Sequence, residues 1–324
     1  MLEISLYQSS FNPAMTSSQP PPRQPSPASD SQTFTLPDGR VLGYASYGAP
    51  PSATVPTILY FHGFPGSRLE AAIIANLSLP TPFHVLAFDR PGMGLSTFQP
   101  NRRILDWPAD VLALVDHLHI EKFHLVGDSG GSPYAWVCAK EIPRTRVLST
   151  SVVSGIYPMS LGTQGMAFGA KTLLYAGLWL PQAVLMKVLD WEFGNAIKNS
   201  DKEEFEKVFM KIMSSRPESD RKCLDDLPFR EVVIASTREA FKQGSRGLAW
   251  DFQLYGNWGF DLDDISCENA TIWHGKQDTN TPFSAAEKAS KLIKGCEFKG
   301  FEEETHLSLP YHKLEDVVKS VLKL

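Results

Sequence analysis

The sequence predicts an α/β protein built on a mostly parallel, doubly wound sheet of about eight strands. Short apolar runs alternate with helical patterns along most of the 324-residue chain, and a single long helical stretch interrupts the alternation. Strands that alternate with helices form parallel βαβ units, whose helices cover both faces of the sheet. A chain of this length can bury such a sheet and still carry an inserted helical domain.

Eight strand patterns, with helical patterns between them, make up the predicted core. A hairpin comes first, because Asp38-Gly39 suits the positive φ angles of a tight turn between two strands. The continuous apolar runs Thr57–Phe61 and His84–Phe88 are typical of strands covered on both faces. The predicted strands are 33–36, 40–47, 57–61, 84–88, 123–126, 147–153, 270–273 and 297–301, and helices are predicted after Asp106 and at 132–140, 282–293 and 314–322.

Residues 157–267 break this alternation, because their pattern is helical and contains no clear buried strand. They are rich in methionine and in aromatic side chains, among them Phe168, Trp179 and Trp191. Amphipathic helices inserted between two strands are predicted to form a cap over the carboxyl edge of the sheet. The predicted core is then made of residues 32–156 and 268–324.

The first 31 residues predict a disordered tail, because Pro, Ser and Gln dominate them and they cannot bury enough apolar surface to fold. They lack the basic and apolar regions of a signal peptide. The longest apolar stretch, 172–186, is broken by Pro181 and is too short to span a bilayer. These features favour a cytoplasmic protein without a transmembrane segment, as a monomer or homodimer.

Charge and cysteine content disfavour two classes of function. The formal net charge is −5 and no basic stripe is present, which argues against nucleic-acid binding. The four cysteines are far apart, without a CxxC pair or a histidine at zinc-ligand spacing, so free thiols are expected. We expect no metal ion and no organic cofactor, and a small molecule as the partner.

The strongest chemical signal is the pentapeptide 127–131, Gly-Asp-Ser-Gly-Gly, which matches G-x-S-x-G between a buried strand and a helix. This context predicts a sharp turn that presents Ser129 above the sheet edge as a nucleophile. The pentapeptide also resembles the serine motif of trypsin-like proteases, and His62, Asp89 and Ser129 follow the order of that family. Trypsin-like domains are all-β and usually disulfide-bonded. The alternation of strands and helices in this chain therefore favours a strand-to-helix turn at Ser129 over a trypsin-like serine.

A serine nucleophile requires a base, and the base requires an orienting carboxylate. Where the serine sits on a strand-to-helix turn, the acid and then the histidine follow it along the chain. His306 is the predicted base because it falls in the loop after the last strand, whereas His274 precedes the acid and His312 lies near the final helix. Asp278 is the predicted acid, in a turn just past the carboxyl end of a strand.

An acyl-transfer site also needs two N–H donors aimed at the oxyanion. The amide of Gly130, directly after the nucleophile, is predicted to be one of them. The loop 62–66, His-Gly-Phe-Pro-Gly, follows a strand, and Phe64 is predicted to supply the second amide. The glycines of this loop also fit a plain tight turn, and the two interpretations are compatible.

Together these residues resemble the α/β-hydrolase superfamily, in its capped branch similar to epoxide hydrolases and proline iminopeptidases. Five segments carry the resemblance in chain order: 62–66, 89–96, 127–131, 274–278 and 305–307. The resemblance implies the α/β-hydrolase fold with an inserted helical cap. It also implies that Ser129, Asp278 and His306 form a triad that cleaves an ester, lactone or related acyl bond through an acyl-enzyme.

Two departures from the family pattern bear on the substrate. Members that open epoxides carry Asp where this chain has Ser129, so that chemistry is disfavoured. Asp128 and Thr305 stand where many members have His and Gly, and the Asp128 carboxylate is expected to discourage anionic substrates if it faces the pocket. The aromatic-rich cap favours a neutral or hydrophobic small molecule. Two alternatives stay open: the same triad used for acyl transfer, lyase chemistry or carbon–carbon hydrolysis, and a non-catalytic ligand receptor on this fold.

Overall fold

The structure is a computed structural model that describes residues 30–194, 197 and 202–324. All but the last two residues of the predicted disordered tail lie outside these ranges. All eight predicted strands are present. They are β1 Gln32–Thr35, β2 Val41–Gly48, β3 Thr57–Phe61, β4 His84–Phe88, β5 Phe123–Asp128, β6 Val147–Val153, β7 Ser266–Gly275 and β8 Lys294–Phe301.

The strands form one sheet in the order β1-β2-β4-β3-β5-β6-β7-β8. β1 pairs with β2 and β2 pairs with β4 in antiparallel fashion, and the other neighbours are parallel. The described helices are α1 Ala72–Ala75, α2 Trp107–His117, α3 Ser132–Glu141, α4 Phe168–Trp179, α5 Gln182–Leu189, α6 Lys202–Met213, α7 Glu218–Cys223, α8 Leu227–Ala240, α9 Arg246–Leu254, α10 Phe283–Leu292 and α11 Ser308–Leu322. The predicted α/β class with a mostly parallel sheet is confirmed.

Central strands are buried on both faces, and their alternate side chains enter two separate cores. Leu59 and Phe61 of β3 join the core that contains α2 and α3. Ile58 and Tyr60 of the same strand join the core that contains α1 and α11. The two-residue period of a strand explains this division, because successive side chains point to opposite faces of the sheet.

Helices α4 to α9 lie between β6 and β7, and we call this stretch the helical insertion. It supplies most of a third apolar core, which includes Phe205, Phe209 and Leu248. Among the residues that the structure describes, no helix has the length and apolar content needed to cross a membrane.

The last helix differs from its predicted extent, since it begins at Ser308 rather than at residue 314. The earlier start was not predicted, because a proline such as Pro310 usually ends a helical pattern. In the first turn of a helix the missing N–H needs no partner, so proline is tolerated there. Leu309 beside it is buried in the core that contains α1 and α11.

Strand register brings the predicted site residues to one edge of the sheet. Phe61 at the end of β3 pairs with Gly127 of β5, and Gly275 at the end of β7 pairs with Phe301 at the end of β8. The carboxyl ends of these parallel strands therefore share one edge, where sites of open α/β sheets form. The loops after β3, β5, β7 and β8 carry Phe64, Ser129, Asp278 and His306, respectively.

Candidate active site

Ser129 occupies a sharp turn between β5 and α3. Its φ is +45°, a left-handed conformation that costs energy for a residue other than glycine. The glycines on either side leave no room for a side chain. A Cβ on Gly127 would lie 2.8 Å from Ala135 Cβ, and one on Gly131 would overlap the carbonyl group of Phe61. Close packing of strand and helix thus holds the serine at the tip of the turn, as the motif predicts.

Ser129, His306 and Asp278 lie together in one hydrogen-bonded chain. Ser129 Oγ is 2.9 Å from His306 Nε2, and His306 Nδ1 is 2.8 Å from Asp278 Oδ2. Because an ionised carboxylate only accepts hydrogen bonds, Nδ1 is the donor to Asp278. Nε2 is then free to accept the hydroxyl proton of Ser129. The structure therefore brings together all three residues predicted from their order along the chain.

The Asp278 carboxylate receives further hydrogen bonds from its own turn. Its Oδ1 accepts from the backbone amides of Asn280 at 2.8 Å and Thr281 at 3.0 Å, and its Oδ2 accepts from the Thr281 hydroxyl at 2.9 Å. Ser154, directly after β6, donates to the carbonyl oxygen of His306 at 3.0 Å. Both the acid and the histidine loop are thus fixed by groups around them.

Electrostatics favour an ionised Asp278 and a more basic His306. Burial by itself raises the pKa of Asp278, but the charge and hydrogen bond of His306 outweigh it and hold that pKa at about 2. Burial by itself lowers the pKa of His306, whereas the charge and hydrogen bond of Asp278 raise it above its ordinary value. The pair is therefore arranged to stabilise an imidazolium ion.

The two predicted oxyanion donors lie on adjoining loops. A Cβ on Gly130 would approach Phe64 Cβ to 2.8 Å, so the two residues are in direct contact. The loop that carries Phe64 is held from beneath by the buried guanidinium group of Arg90. That group donates to the carbonyl oxygens of His62 at 2.5 Å and Gly63 at 2.9 Å.

Comparison with known proteins decides the family. Residues 56–312 match the family model described as alpha/beta hydrolase fold. The chain belongs to the α/β-hydrolase fold family. A curated relative, the dihydrolipoyllysine-residue acetyltransferase component of the acetoin cleaving system of Pseudomonas putida, is 36% identical over 117 residues. That match covers 36% of this chain and only 30% of the relative.

Solved structures show the same fold at low sequence identity. A hydrolase from Pseudomonas aeruginosa PA01 has a TM-score of 0.57 and 20% identity, and the match covers 92% of this chain and 100% of that one. An esterase from Exiguobacterium antarcticum has a TM-score of 0.61 and 16% identity, with 90% and 98% covered. At these identities the similarity concerns the fold.

In this α/β hydrolase fold, the acid and the histidine of the alternative trypsin-like triad interact with other groups. Asp89 forms a buried ion pair with Arg68 at 2.6 Å, and His62 Nδ1 lies 2.9 Å from the carbonyl oxygen of the next residue. His274 is buried, and its Nε2 lies 2.9 Å from the carbonyl oxygen of Thr281. The relay to Ser129 therefore passes through His306.

Sequence reasoning missed a buried polar network that connects the Phe64 loop to the helical insertion. The network consists of Arg90, Arg102, Tyr134, Asp251 and Tyr255. Asp251, on α9, lies 3.0 Å from Arg90 and 2.6 Å from Arg102. The Tyr255 hydroxyl donates to Asp251 Oδ2 at 2.8 Å and also lies against Gly130. Arg90 belongs to the 89–96 segment, but Asp251 and Tyr255 belong to no motif.

A second missed residue, Asp220 on α7, holds the loop of His306. Its Oδ1 accepts from the backbone amide of Leu307 at 2.8 Å and contacts the hydroxyl of Thr305. Thr305 stands where many members of the family have Gly. Its hydroxyl gives the histidine loop a buried attachment to the helical insertion, which a glycine at this position lacks.

Asp128, which stands where many members of the family have His, lies beside a second acid. A Cβ on Gly63 would be 3.3 Å from Asp128 Oδ2 and 3.6 Å from both oxygens of Glu70. Glu70 Oε1 accepts from the Gly63 amide at 2.7 Å and from the Tyr60 hydroxyl at 2.9 Å. Burial raises the pKa of Asp128 well above its ordinary range, and the charge of Glu70 adds to this. The raised pKa lowers the ionised fraction of Asp128, and with it the repulsion of anions that the sequence predicts if this carboxylate faces the pocket.

Proposed function

We propose that this protein is a serine hydrolase that cleaves an ester, lactone or related acyl bond of a small molecule through an acyl-enzyme. One observation carries the proposal: the hydrogen-bonded chain from Ser129 through His306 to Asp278, at the carboxyl edge of the sheet. Membership of the α/β-hydrolase fold family supports it, because this fold assembles its sites at that edge.

The proposed reaction begins with proton transfer. His306 Nε2 takes the hydroxyl proton of Ser129 as Oγ attacks the acyl carbon, and His306 then gives that proton to the leaving alcohol. The amides of Phe64 and Gly130 hold the negative charge on the carbonyl oxygen. Water then attacks the acyl-enzyme while His306 takes its proton, and the acid leaves as His306 returns that proton to Ser129 Oγ. Asp278 keeps the proton of the neutral ring on Nδ1 and stabilises the imidazolium form.

Aromatic side chains around the oxyanion loop support a neutral or hydrophobic substrate. The ring of Phe64 lies 5.3 Å from that of Phe252 and 5.7 Å from that of Tyr255, measured between centroids. Phe252 and Tyr255 lie at the end of the helical insertion, and the Tyr255 hydroxyl lies against Gly130. We propose that residues 157–267 act as a cap and supply the substrate contacts.

Acyl transfer is the second candidate. The observation that favours it is the 36% identity over 117 residues with a component named as an acetyltransferase. The same acyl-enzyme would form, and an alcohol, amine or thiol would replace water in the second step. Product analysis separates the two reactions, since only transfer yields a new ester, amide or thioester.

The test of the proposal is labelling with a fluorophosphonate probe. Wild type and Ser214→Ala, a change at an exposed serine of the helical insertion, should be labelled, and Ser129→Ala should not. Short and long acyl esters of 4-nitrophenol then report turnover. Equal labelling of Ser129→Ala and wild type would rule out Ser129 as the nucleophile. Labelling without turnover of any ester in water would favour transfer.

A further inference from the structure

Arg90 binds two successive peptide groups of the loop after β3. Its Nη1 donates to the carbonyl oxygen of His62 at 2.5 Å, and its Nη2 donates to the carbonyl oxygen of Gly63 at 2.9 Å. The N–H groups of a guanidinium ion form a rigid, planar fork. Two carbonyl groups bound by one fork are therefore fixed in orientation relative to each other, and the compact ammonium group of a lysine cannot reproduce this contact.

The two peptide groups differ in what their N–H groups bind. In the peptide between His62 and Gly63, the N–H of Gly63 donates to Glu70 Oε1 at 2.7 Å. In the peptide between Gly63 and Phe64, the N–H of Phe64 donates to no backbone or side-chain group of the described residues. Backbone N–H groups in a folded protein ordinarily have a partner. The Phe64 amide is thus the one donor of this doubly held segment that is left for an atom of a ligand.

The planarity of the peptide group sets the direction of this free amide. The bond between Gly63 and Phe64 is trans, and in a trans peptide the C=O and N–H groups point in opposite directions. Because the carbonyl oxygen of Gly63 faces the guanidinium group of Arg90, the N–H of Phe64 must point away from it and out of the buried polar network. Rotation of the peptide would break the contact with Arg90.

We propose that Arg90 is a positioning residue of the oxyanion site, which aims the Phe64 amide and strengthens it as a hydrogen-bond donor. A charged donor on the carbonyl oxygen polarises the peptide group, so the N–H of the same group becomes a better donor. Arg90 is buried beneath the loop and acts through the peptide rather than on the substrate. The inference rests on the proposed hydrolysis, in which the Phe64 amide stabilises the oxyanion.

The guanidinium group of Arg90 is itself held from several sides. It lies 3.0 Å from the carboxylate of Asp251 on α9, and its Nη2 lies 3.3 Å from the hydroxyl of Tyr255, directly after α9. Its Cζ lies 5.0 Å from the ring centroid of Tyr134 on α3. A donor held in place before the reaction needs no rearrangement in the transition state. Packing of the helical insertion on the core therefore completes the support of the oxyanion site.

Arg102 offers a matched comparison. It is 3% exposed and Arg90 is 1% exposed, and Arg102 also lies 2.6 Å from the carboxylate of Asp251 and 5.8 Å from the ring centroid of Tyr134. Its Nη1 donates to the Tyr134 hydroxyl at 2.7 Å, however, and not to the loop after β3. Both arginines are thus buried in one network, and only Arg90 touches the peptide that carries the proposed donor.

The test compares Arg90→Lys with Arg102→Lys in the full-length protein. Arg90→Lys should lower kcat for 4-nitrophenyl esters about 10–100-fold with little change in KM, because the Phe64 amide acts on charge that develops in the transition state. Phenylboronic acid, whose tetrahedral adduct with Ser129 resembles that state, should bind Arg90→Lys more weakly by a similar factor. Arg102→Lys should keep the kcat and the boronate affinity of wild type, although urea unfolding should show a loss of stability in both variants.

Equal losses of kcat in the two lysine variants would show that Arg90 only stabilises the fold and would overturn the proposal, as would wild-type kcat and boronate affinity in Arg90→Lys. If the lysine variant does not fold, Arg90→Gln, which keeps a donor for one carbonyl oxygen, is measured in its place.

A magnetic-resonance measurement tests the contact without turnover. In protein labelled with ¹⁵N-phenylalanine, the amide proton of Phe64, assigned by its loss in Phe64→Leu, should move upfield in Arg90→Lys because its peptide group is less polarised. It should stay in place in Arg102→Lys. Wild type that hydrolyses no ester would contradict the proposed function but leave this measurement intact, and an amide proton that does not move in Arg90→Lys would overturn the inference itself.

Discussion

Asp251 lies 3.0 Å from the guanidinium group of Arg90, and both side chains are fully enclosed. This ion pair joins the helical insertion to the loop that carries Phe64, because Arg90 also donates to the carbonyl oxygens of His62 and Gly63. Water cannot take the place of either partner in such a pair. A change at Asp251 is therefore expected to affect both the stability of the protein and the position of the loop.

Asp251→Asn tests this connection, since it removes the charge and keeps the size of the side chain. Arg90 and Arg102 are left buried without a counter-charge, and the free energy of unfolding should fall by about 3–5 kcal/mol. Urea unfolding measures the loss, and ester hydrolysis should show a lower kcat. Asp106→Asn is the control, because its partner Arg103 is exposed and little change is expected. Equal stability of the two variants would contradict the prediction.

Gly130→Ala tests whether the amide after Ser129 belongs to the site. The added Cβ would approach Phe64 Cβ to 2.8 Å and would overlap the Tyr255 hydroxyl, so the two loops must move apart. Loss of one oxyanion donor should lower kcat about 10²-fold while the protein still folds. The control is Gly169→Ala on α4, where a Cβ meets no atom within 4 Å and full activity is expected. An unchanged kcat in Gly130→Ala would remove this amide from the mechanism.

Asp220 is expected to position His306 without contacting the substrate. Asp220→Ala leaves the Leu307 amide without its acceptor, so the His306 loop loses its attachment and the rate of fluorophosphonate labelling should fall about tenfold. Asp220→Asn keeps an oxygen that can accept from this amide and should restore part of the rate. Equal labelling rates in the alanine, asparagine and wild-type proteins would show that Asp220 has no influence on the histidine.

The sequence was sufficient for the strands and for the three residues of the hydrogen-bonded chain. Ser129, Asp278 and His306 each follow a recognisable strand, so their order along the chain places them at one sheet edge. Asp220 and Asp251 could not be found in this way. They lie on helices of the insertion, far along the chain from Arg90 and from the His306 loop, and an acid on an amphipathic helix usually faces solvent. Only the packing of the insertion on the core shows that both are buried.

The pH dependence of hydrolysis follows from the pairing of His306 with Asp278. Catalysis requires a neutral His306, so kcat/KM should rise with pH through the pKa of His306, which Asp278 holds above its ordinary value of 6.5. Asp278→Asn removes the main cause of that raised pKa. The acid limb of the profile should therefore shift to lower pH, while kcat falls about 10⁴-fold. An acid limb that stays in place would show that another group sets it.

The same two groups make stability depend on pH in opposite directions. Because the folded pKa of His306 is raised, its contribution is fully present below pH 6.5 and is lost as pH rises through that folded pKa. The folded pKa of Asp278 is lowered to about 2, so its contribution is present above its ordinary value of 3.8 and is lost as pH falls toward 2. The loss of stability in Asp278→Asn, measured by thermal unfolding, should therefore be largest between about pH 4 and pH 6.5. It should shrink on both sides of this window, and a loss that is the same at every pH would show that the charge of the pair does not stabilise the fold.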